Sequence, residues 1–335
     1  MDCVLGVDVG GSSTRCAVAS SAGRCLGYAK GGGGNPISVG AHAAIETVAG
    51  GIGLALERAK IGGERIVAVV FCMAGGLTSE DTAAFGDTLR ELGIRAAPTP
   101  AGDLFGNFCS GTWQTSGYLL ESGTGAGALR IEDGEVAKTS DGLGWLLGDE
   151  GSGFWIGRRV VRAALADLDD RGPRTRLTEL VLGRLGLARE GQPDCGRDLV
   201  DGRPAVVIPA LRMIYKWRPV ELAGFAAEAF AAGDDAVAAA IREEAALSLD
   251  NTLAAVSRPG IRGPVVIAGS VLLNNPGLLD RVKGLAARHL PQAAFIPVPD
   301  GVAGAVTLAL RQIGVQVGRA QFEAITDSLA ALPNR

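Results

Sequence analysis

The sequence has few of the residues on which several common kinds of site depend. Its 335 residues include two histidines, His42 and His289, which gives little support to a histidine-based zinc site or a Ser-His-Asp triad. The net charge is −4 and the sequence contains no Lys/Arg-rich run, so we expect no nucleic-acid partner. No stretch reaches ~18 uninterrupted apolar residues, and the N-terminal residues lack a basic segment followed by an apolar one, so we expect neither a membrane span nor secretion.

Cysteine is also sparse, and no two cysteines form a C-x-x-C pair. Two of the six lie in apolar, strand-like runs, where a free cysteine behaves as a small hydrophobic residue. The scattered spacing is typical of a protein from a reducing compartment, and it predicts a cytoplasmic location. The six are Cys3, Cys16, Cys25, Cys72, Cys109 and Cys195.

Glycine, by contrast, is abundant. The 50 glycines cluster in short turns rather than in a repeat, and hydrophobic residues make up 47% of the chain against 20% charged residues. This composition indicates a packed globular protein, long enough for two domains. Glycine-rich turns of this kind suit a binding site that is built from backbone loops.

The first glycine-rich turn follows an apolar strand that ends near Asp8. Adjacent glycines let successive backbone N–H groups point into a concavity that can hold an anion, and Asp8 could hold a hydrated divalent cation beside it. An ordinary glycine-rich hairpin fits the same residues, so both interpretations stay open for this stretch taken alone. The turn offers Gly10, Gly11, Ser12, Ser13 and Thr14.

A second hairpin repeats this design later in the chain, with an apolar strand, the turn Gly123-Thr124-Gly125 and an apolar return. Two hairpins of the same kind suggest two related halves that face each other across a cleft. A third apolar strand ends in Gly269-Ser270 and leads into a helix, which is a geometry typical of nucleotide contacts. The three turns together predict a phosphotransfer site.

Other candidate residues stand in polar turns. Asn35 follows four glycines in a loop and is a plausible ligand contact. Asp103 stands at a strand-to-helix turn, where it can act as a base towards a hydroxyl opposite the γ-phosphate or simply as a helix N-cap. Asp149 and Glu150 lie between glycines before a helix; they can bind a small ligand or cap that helix. Ala-rich amphipathic runs predict helices between 154 and 258, including one over 221–232.

At these residues the chain resembles the N-acetylglucosamine kinase family, a group of actin/hexokinase-like sugar kinases also described as BadF/BadG/BcrA/BcrD-type ATPases. The resemblance covers residues 3–313, and its most specific part is Gly148-Asp149-Glu150-Gly151-Ser152. The other matching segments are Val7–Thr14, Ser122–Gly125 and Ala268–Val271.

The resemblance implies ATP-dependent phosphorylation of an amino sugar, N-acetylglucosamine or glucosamine, at its 6-hydroxyl, with Mg²⁺ as cofactor. Asp103 matches the general base of the family, Asn35 and Asp149 match sugar-contacting positions, and Gly144 matches a backbone contact beside the sugar. We predict Glu150 as a further substrate contact. The family also implies a homodimer.

Three positions depart from the family pattern. Gly102 stands before the base where relatives usually have Asn or Thr, and Ala74 and Ala126 replace hydroxyl residues near the sugar. An acetylated, a free or a rarer amino sugar therefore remains open as the substrate. Two alternative functions also remain: an ATPase activator of a 2-hydroxyacyl-CoA dehydratase or reductase, which would need grouped cysteines for an iron–sulfur cluster, and a non-catalytic ATP- or sugar-binding regulator.

The resemblance implies an α/β, two-lobed ribonuclease H-like fold of the actin/hexokinase type, with a cleft between duplicated β-sheet and helix domains. We expect residues 1–105 to form an N-terminal ATPase lobe that is completed by a C-terminal helix over about 306–330. Residues 106–305 would form the C-terminal lobe, with a helical insertion over about 154–258.

Overall fold

The computed structural model describes residues 2–11, 13–75, 78–187 and 198–333. Its strands are β1 (Cys3–Val9), β2 (Thr14–Ser20), β3 (Cys25–Gly31), β4 (Ile66–Met73), β5 (Pro98–Gly102), β6 (Gly117–Ser122), β7 (Ala126–Glu132), β8 (Glu135–Asp141), β9 (Leu199–Val200), β10 (Arg203–Pro204), β11 (Val265–Ala268) and β12 (Phe295–Pro297). Short 3₁₀ segments cover Gly63–Arg65 and Pro219–Phe225.

The helices are α1 (Pro36–Val39), α2 (Ala41–Ala59), α3 (Ser79–Glu91), α4 (Asp103–Gly111), α5 (Gly153–Leu168), α6 (Leu177–Arg184), α7 (Val207–Ile214), α8 (Ala226–Ala231), α9 (Ala236–Val256), α10 (Ser270–Asn274), α11 (Pro276–Ala286), α12 (Val302–Gln312) and α13 (Arg319–Ala330). No helix among the described residues has the length and apolar character needed to cross a membrane.

The first lobe is built on a five-stranded sheet with the order β3-β2-β1-β4-β5. β1, β2 and β3 pair antiparallel, whereas β4 and β5 run parallel to β1. Every residue of β1 is buried, because α2 and α3 cover one face of the sheet and α12 and α13 cover the other. A strand covered on both faces is apolar throughout, as this part of the sequence is.

The second lobe repeats that arrangement with the order β8-β7-β6-β11-β12. β6, β7 and β8 pair antiparallel, and β11 and β12 run parallel to β6. The two sheets therefore have the same topology, which confirms the predicted duplication. β8 has no counterpart among our predicted strands, because it is exposed and polar over most of its length and lacks an apolar pattern.

Helices α4 and α12 pack against each other between the two sheets. α4 contacts β11 and β6, while α12 contacts β1 and β4. Their approach is close enough that a Cβ at Gly304 would lie 1.9 Å from the carbonyl oxygen of Gly106, so position 304 tolerates no side chain. The helix that begins with Asp103 is thus held between the lobes.

The helical part of the second lobe lies on the outer face of its sheet, where α5, α9 and α11 build one core. The helix predicted over 221–232 is wrong in its first half, where Pro219–Phe225 is a 3₁₀ segment before α8. Proline at the start favours this tight turn. The helix after Asp149 and Glu150 is capped by Ser152, whose hydroxyl accepts from Trp155 N, so neither acid is its N-cap.

Candidate active site

The two glycine-rich hairpins face each other across a cleft of about 530 Å³. Backbone hydrogen bonds close both turns: Gly10 N donates to Ser13 O and Gly123 N to Gly125 O, each over 2.9 Å. Twelve of the predicted site residues line this one cleft. They are Asp8, Gly10, Gly11, Ser13, Asp103, Gly123, Thr124, Gly125, Gly144, Asp149, Gly269 and Ser270.

Three other predicted site residues are not among those that line the cleft. Thr14 is buried, and its hydroxyl has no hydrogen-bond partner in the structure. Asn35 is also buried. Its Nδ2 donates over 3.0 Å to the carbonyl oxygen of Ala74, and Ala74 itself lines the cleft. Glu150 is exposed and accepts from Ser248 Oγ over 3.2 Å. Ser12 lies outside the described residues.

Asp8 stands near the end of β1, at the floor of the cleft. Its Oδ2 accepts from Gly301 N over 3.1 Å and lies 3.4 Å from Arg15 Nη1. Arg15 also pairs with Asp300, at 3.3 Å between Nε and Oδ2. Burial and the neighbouring Asp300 raise the pKa of Asp8 to about 6, although Arg15 and the Gly301 amide oppose the rise. At neutral pH Asp8 is therefore an ionised carboxylate.

Asp103 is the first residue of α4, and Gly102 is the N-cap of that helix. Burial raises the pKa of Asp103, while the Leu104 amide opposes the rise by hydrogen bonding to the carboxylate. A carboxylate in this position is aligned with the positive end of the helix dipole and faces the space between the hairpins. It can accept a proton from a hydroxyl that is bound there.

Our sequence analysis missed a further acid, Glu121, which is partly buried and lines the cleft. Glu121 lies on β6, and Asn107 Nδ2 donates to its Oε2 over 2.8 Å. Burial, followed by the nearby charge of Asp103, raises the pKa of Glu121 to about 8, while the bond from Asn107 opposes the rise. The repeated hairpin carried the signal: Glu121 stands two residues before Gly123, as Asp8 stands two residues before Gly10.

The loop that carries Asp149 is bound to the second hairpin. Asp149 Oδ1 accepts from Ala126 N over 3.3 Å, and Ser122 Oγ donates to Gly151 O over 2.9 Å. Burial raises the pKa of Asp149, against the bond from Ala126. Substrate groups held by this loop would thus move with the second hairpin.

Asp141, at the end of β8, holds the same loop in place by accepting hydrogen bonds from its backbone amides. Its two carboxylate oxygens accept from the amides of Asp149 and Glu150, over 2.7 and 2.8 Å. The residue has a left-handed φ of 59°, which aspartate tolerates better than most residues. This anchor was not predicted, because eight residues separate the acceptor from the first amide it binds and no motif marks it.

A smaller pocket of about 280 Å³ adjoins the second hairpin. Gly123, Thr124 and Ser270 line both this pocket and the main cleft, and Phe230 and Asn275 contribute to its outer part. Gly269 has a φ of 88°, and a Cβ there would lie 2.3 Å from Ser122 O, so glycine is required where the two cavities meet. The two cavities thus lie on either side of the same turn and share its residues as lining.

Comparison with known proteins relates the chain to a family of ATPases. The sequence profile of the BadF/BadG/BcrA/BcrD ATPase family matches residues 5–309. An N-acetylmuramic acid/N-acetylglucosamine kinase from Clostridium acetobutylicum is 34% identical over 125 residues, which are 37% of this chain and 40% of that protein. A glucosamine kinase from Vibrio cholerae is 26% identical over 184 residues, 54% of this chain and 61% of that protein. The chain thus spans less than two thirds of the length of either curated relative.

A solved structure shares the fold over most of its length. This protein from Chromobacterium violaceum, provisionally named an N-acetylglucosamine kinase, superposes with a TM-score of 0.72 at 22% identity. The superposition covers 92% of this chain and 99% of that one. It confirms the predicted two-lobed, ribonuclease H-like fold of the actin/hexokinase type.

Proposed function

Because this chain belongs to the BadF/BadG/BcrA/BcrD ATPase family, we propose that it transfers the γ-phosphoryl group of ATP to the 6-hydroxyl of an amino sugar, N-acetylglucosamine or glucosamine. The observation that carries this proposal is the position of Asp103. It begins a helix between the lobes and lines the same cleft as both glycine-rich hairpins and Asp149. A base, a phosphate cradle and a loop suited to a polar substrate therefore share one cavity.

The two hairpins are suited to a triphosphate. Their backbone amides can approach phosphate oxygens closely, which compensates for the small number of cationic side chains in the cleft. The adjoining pocket beside Ser270 and Asn275 has room for the nucleoside. Most of the rate enhancement would come from alignment and charge stabilisation, as in other phosphoryl transfers.

Asp8 is the residue suited to Mg²⁺. Among the described residues no three His, Cys, Asp or Glu side chains converge as a metal-binding group. Mg²⁺ is commonly held by one or two carboxylates, with water and phosphate oxygens as its other ligands, and the ionised Asp8 fits that requirement. When bound, the cation would neutralise charge on the phosphates of ATP.

Asp103 would act on the sugar. Its carboxylate takes the proton of the 6-hydroxyl as that oxygen bonds to the γ-phosphorus, and the bond to the leaving ADP oxygen breaks. Asp149, held by Asp141 and Ala126, would orient the sugar hydroxyls. Asn35 stays a predicted sugar contact that would need to act through the Ala74 side of the cleft. A homodimer and a cytoplasmic location likewise remain predictions.

The cysteines disfavour the alternative of a dehydratase activator. The five described cysteines are all buried within the lobes, so none of these five presents a thiolate at the surface for an interfacial iron–sulfur cluster. The sixth, Cys195, lies outside the described residues.

A coupled assay of ADP release tests the proposal, with N-acetylglucosamine, glucosamine and no sugar in parallel reactions. We expect turnover that depends on one of the amino sugars, with a 6-phosphate identified by mass spectrometry and NMR. ATP turnover that does not depend on sugar would instead favour an ATPase activator. ATP binding without turnover under any condition would favour a regulator.

A further inference from the structure

A part-buried hydrogen bond at the cleft joins the helix of the proposed base to the strand of the second hairpin. Asn107 on α4 donates to Glu121 on β6, and both residues line the cleft. We propose that this bond sets the distance between Asp103 and the second hairpin, so that Asn107 and Glu121 are positioning residues for the transfer. This inference rests on the proposed function, and nothing in the family resemblance assigns a role to either residue.

The geometry of α4 places Asn107 where it can act on Asp103. The two residues are four positions apart, so they lie on the same face of the helix, one turn from each other. The N-cap Gly102 has no side chain to anchor the first turn. The opposite end of α4 is anchored to the first lobe, where Ser110 Oγ accepts from Gly304 N on α12 over 2.7 Å. Leu104 and Phe105 pack the first turn of α4 against the second lobe, and the Asn107 bond adds a directional polar tie between that end of the helix and β6.

The backbone that carries Glu121, the acceptor of this hydrogen bond, is firmly held in its sheet. β6 is the middle strand of its sheet, paired with β7 and β11, so the backbone at Glu121 is held on both sides. The strand ends one residue after Glu121, and the hairpin turn Gly123-Thr124-Gly125 follows. A shift of Asn107 relative to Glu121 is therefore also a shift of Asp103 relative to the amides that would hold the phosphates.

The surrounding charges explain why an amide fills this position. Asp8 and Asp103 lie near Glu121, and the guanidinium of Arg15 is engaged by Asp8 and Asp300. Asn107 therefore donates a hydrogen bond to the carboxyl group of Glu121, whose charged neighbours Asp8 and Asp103 are both acidic. A misplacement of ~1 Å at a reacting group can lower a rate by about 100-fold, so a single tie of this kind is enough to matter.

The test compares Asn107→Ala, Glu121→Ala and the double variant in steady-state kinetics. We expect each single variant to lower kcat for the amino sugar by about 10- to 100-fold, with KM for ATP changed less than about 3-fold. The double variant should be no worse than the more severe single variant, since both remove the same bond. Glu121→Gln should recover most of the lost kcat, because its amide oxygen still accepts from Asn107.

Ser110→Ala is the matched control, since it removes a buried bond from the same helix at the end remote from Asp103. It should lower Tm and leave kcat within about 3-fold of wild type. Equal losses of kcat in Ser110→Ala and Asn107→Ala, additive losses in the double variant, or no recovery in Glu121→Gln would each overturn the inference. A wild-type protein that phosphorylates no amino sugar would refute the proposed function itself, whereas an active wild type with unimpaired variants refutes the positioning role alone.

Discussion

The two hairpins occupy equivalent places in their lobes. Asp8 and Glu121, the acidic residues on the strands that lead into them, nevertheless have different surroundings. Asp8 pairs across the strands with Arg15, whereas Glu121 pairs with Gly127. A cation therefore faces the first acid, whereas the second accepts, among the described residues, a side-chain hydrogen bond from Asn107 alone. The pKa is raised to about 6 for Asp8 and to about 8 for Glu121, so Glu121 binds its proton more tightly than Asp8 does.

This difference shows how a duplicated fold acquires two unlike halves. The first hairpin keeps a negative charge at the cleft floor, which suits a cation. The second holds an acid with a more strongly raised pKa beside Asp103, which reduces the negative charge where ATP would bind. The proposed base, Asp103, belongs to neither hairpin, because it stands on the helix between them. The following variants test this division of roles, in order of decreasing effect.

The largest effect should come from Asp103→Asn. If Asp103 is the base and neither hairpin acid replaces it, kcat should fall by about 10²- to 10⁴-fold while the protein still binds a non-hydrolysable ATP analogue. Stopped assays for sugar phosphate and calorimetry for the analogue measure the two properties. Asp133→Asn, at an exposed turn with φ 51°, is the matched control and should behave as wild type. Turnover within about 10-fold of wild type would remove Asp103 from its role.

The next comparison replaces each hairpin acid by its amide. Asp8→Asn should weaken Mn²⁺ binding in the presence of an ATP analogue by about 10-fold or more, because it removes an ionised ligand. Glu121→Gln should change that affinity less than about 3-fold, because the raised pKa of Glu121 leaves the native side chain with less negative charge to lose than Asp8 has. Electron paramagnetic resonance of free Mn²⁺ gives both constants. Equal weakening in the two variants would mean that the lobes share the cation site.

Arg15→Met should shift the pH dependence of the first hairpin. Arg15 lowers the pKa of Asp8, so without it that pKa rises above 6, and the carboxylate protonates at a higher pH. Wild type should lose its cation-dependent activity as pH falls through about 6. Arg15→Met should lose that activity about one pH unit higher. Rate profiles between pH 5 and 8 provide the measurement, with the exposed Arg24→Met as control. An unchanged acid limb would show that Asp8 does not limit activity.

The smallest effect concerns stability and the second hairpin. Glu121 has a pKa of about 8 in the folded protein, well above the value for an unfolded glutamate, so its ionisation opposes folding increasingly as pH rises towards 8. Glu121→Gln should therefore raise Tm by several °C at pH 9 and by far less at pH 5, because the amide cannot ionise. Thermal unfolding followed by circular dichroism tests this. A gain that is equal at both pH values would point to packing rather than to ionisation.

The sequence allowed much of the fold to be predicted, because the signals are local. The apolar runs of β1, β4 and β6 and the glycine turns after β1 and β6 mark elements by neighbouring residues alone. The start of α3 is equally local: the Thr78 hydroxyl accepts from Asp81 N, and Thr78 N donates to the Asp81 carboxylate, which completes a capping box. β8 and the 3₁₀ segment Pro219–Phe225 escaped prediction, because an exposed polar strand and a short tight helix lack a distinctive period.

The candidate site likewise has one part that could be predicted from local sequence and another part that could not. Glycine turns and strand-end acids are visible as motifs, which is how Asp8, Asp103 and Asp149 were found. The partners that tune these acids are not visible. Asp141 acts on a loop eight residues away, and Asn107 meets an acid on a different element. Short-range patterns encode backbone conformation, whereas charge environment depends on which elements pack together.

The sequence by itself thus determined two glycine-rich hairpins, the strands that present them and the family to which they belong. Only the tertiary structure decided that Asp8 meets Arg15 and, 293 residues along the chain, the amide of Gly301, while Glu121 accepts from the amide of Asn107. The reason is physical: a turn conformation depends on the residues within the turn, but the pKa of a buried acid depends on every dipole and charge brought against it by folding.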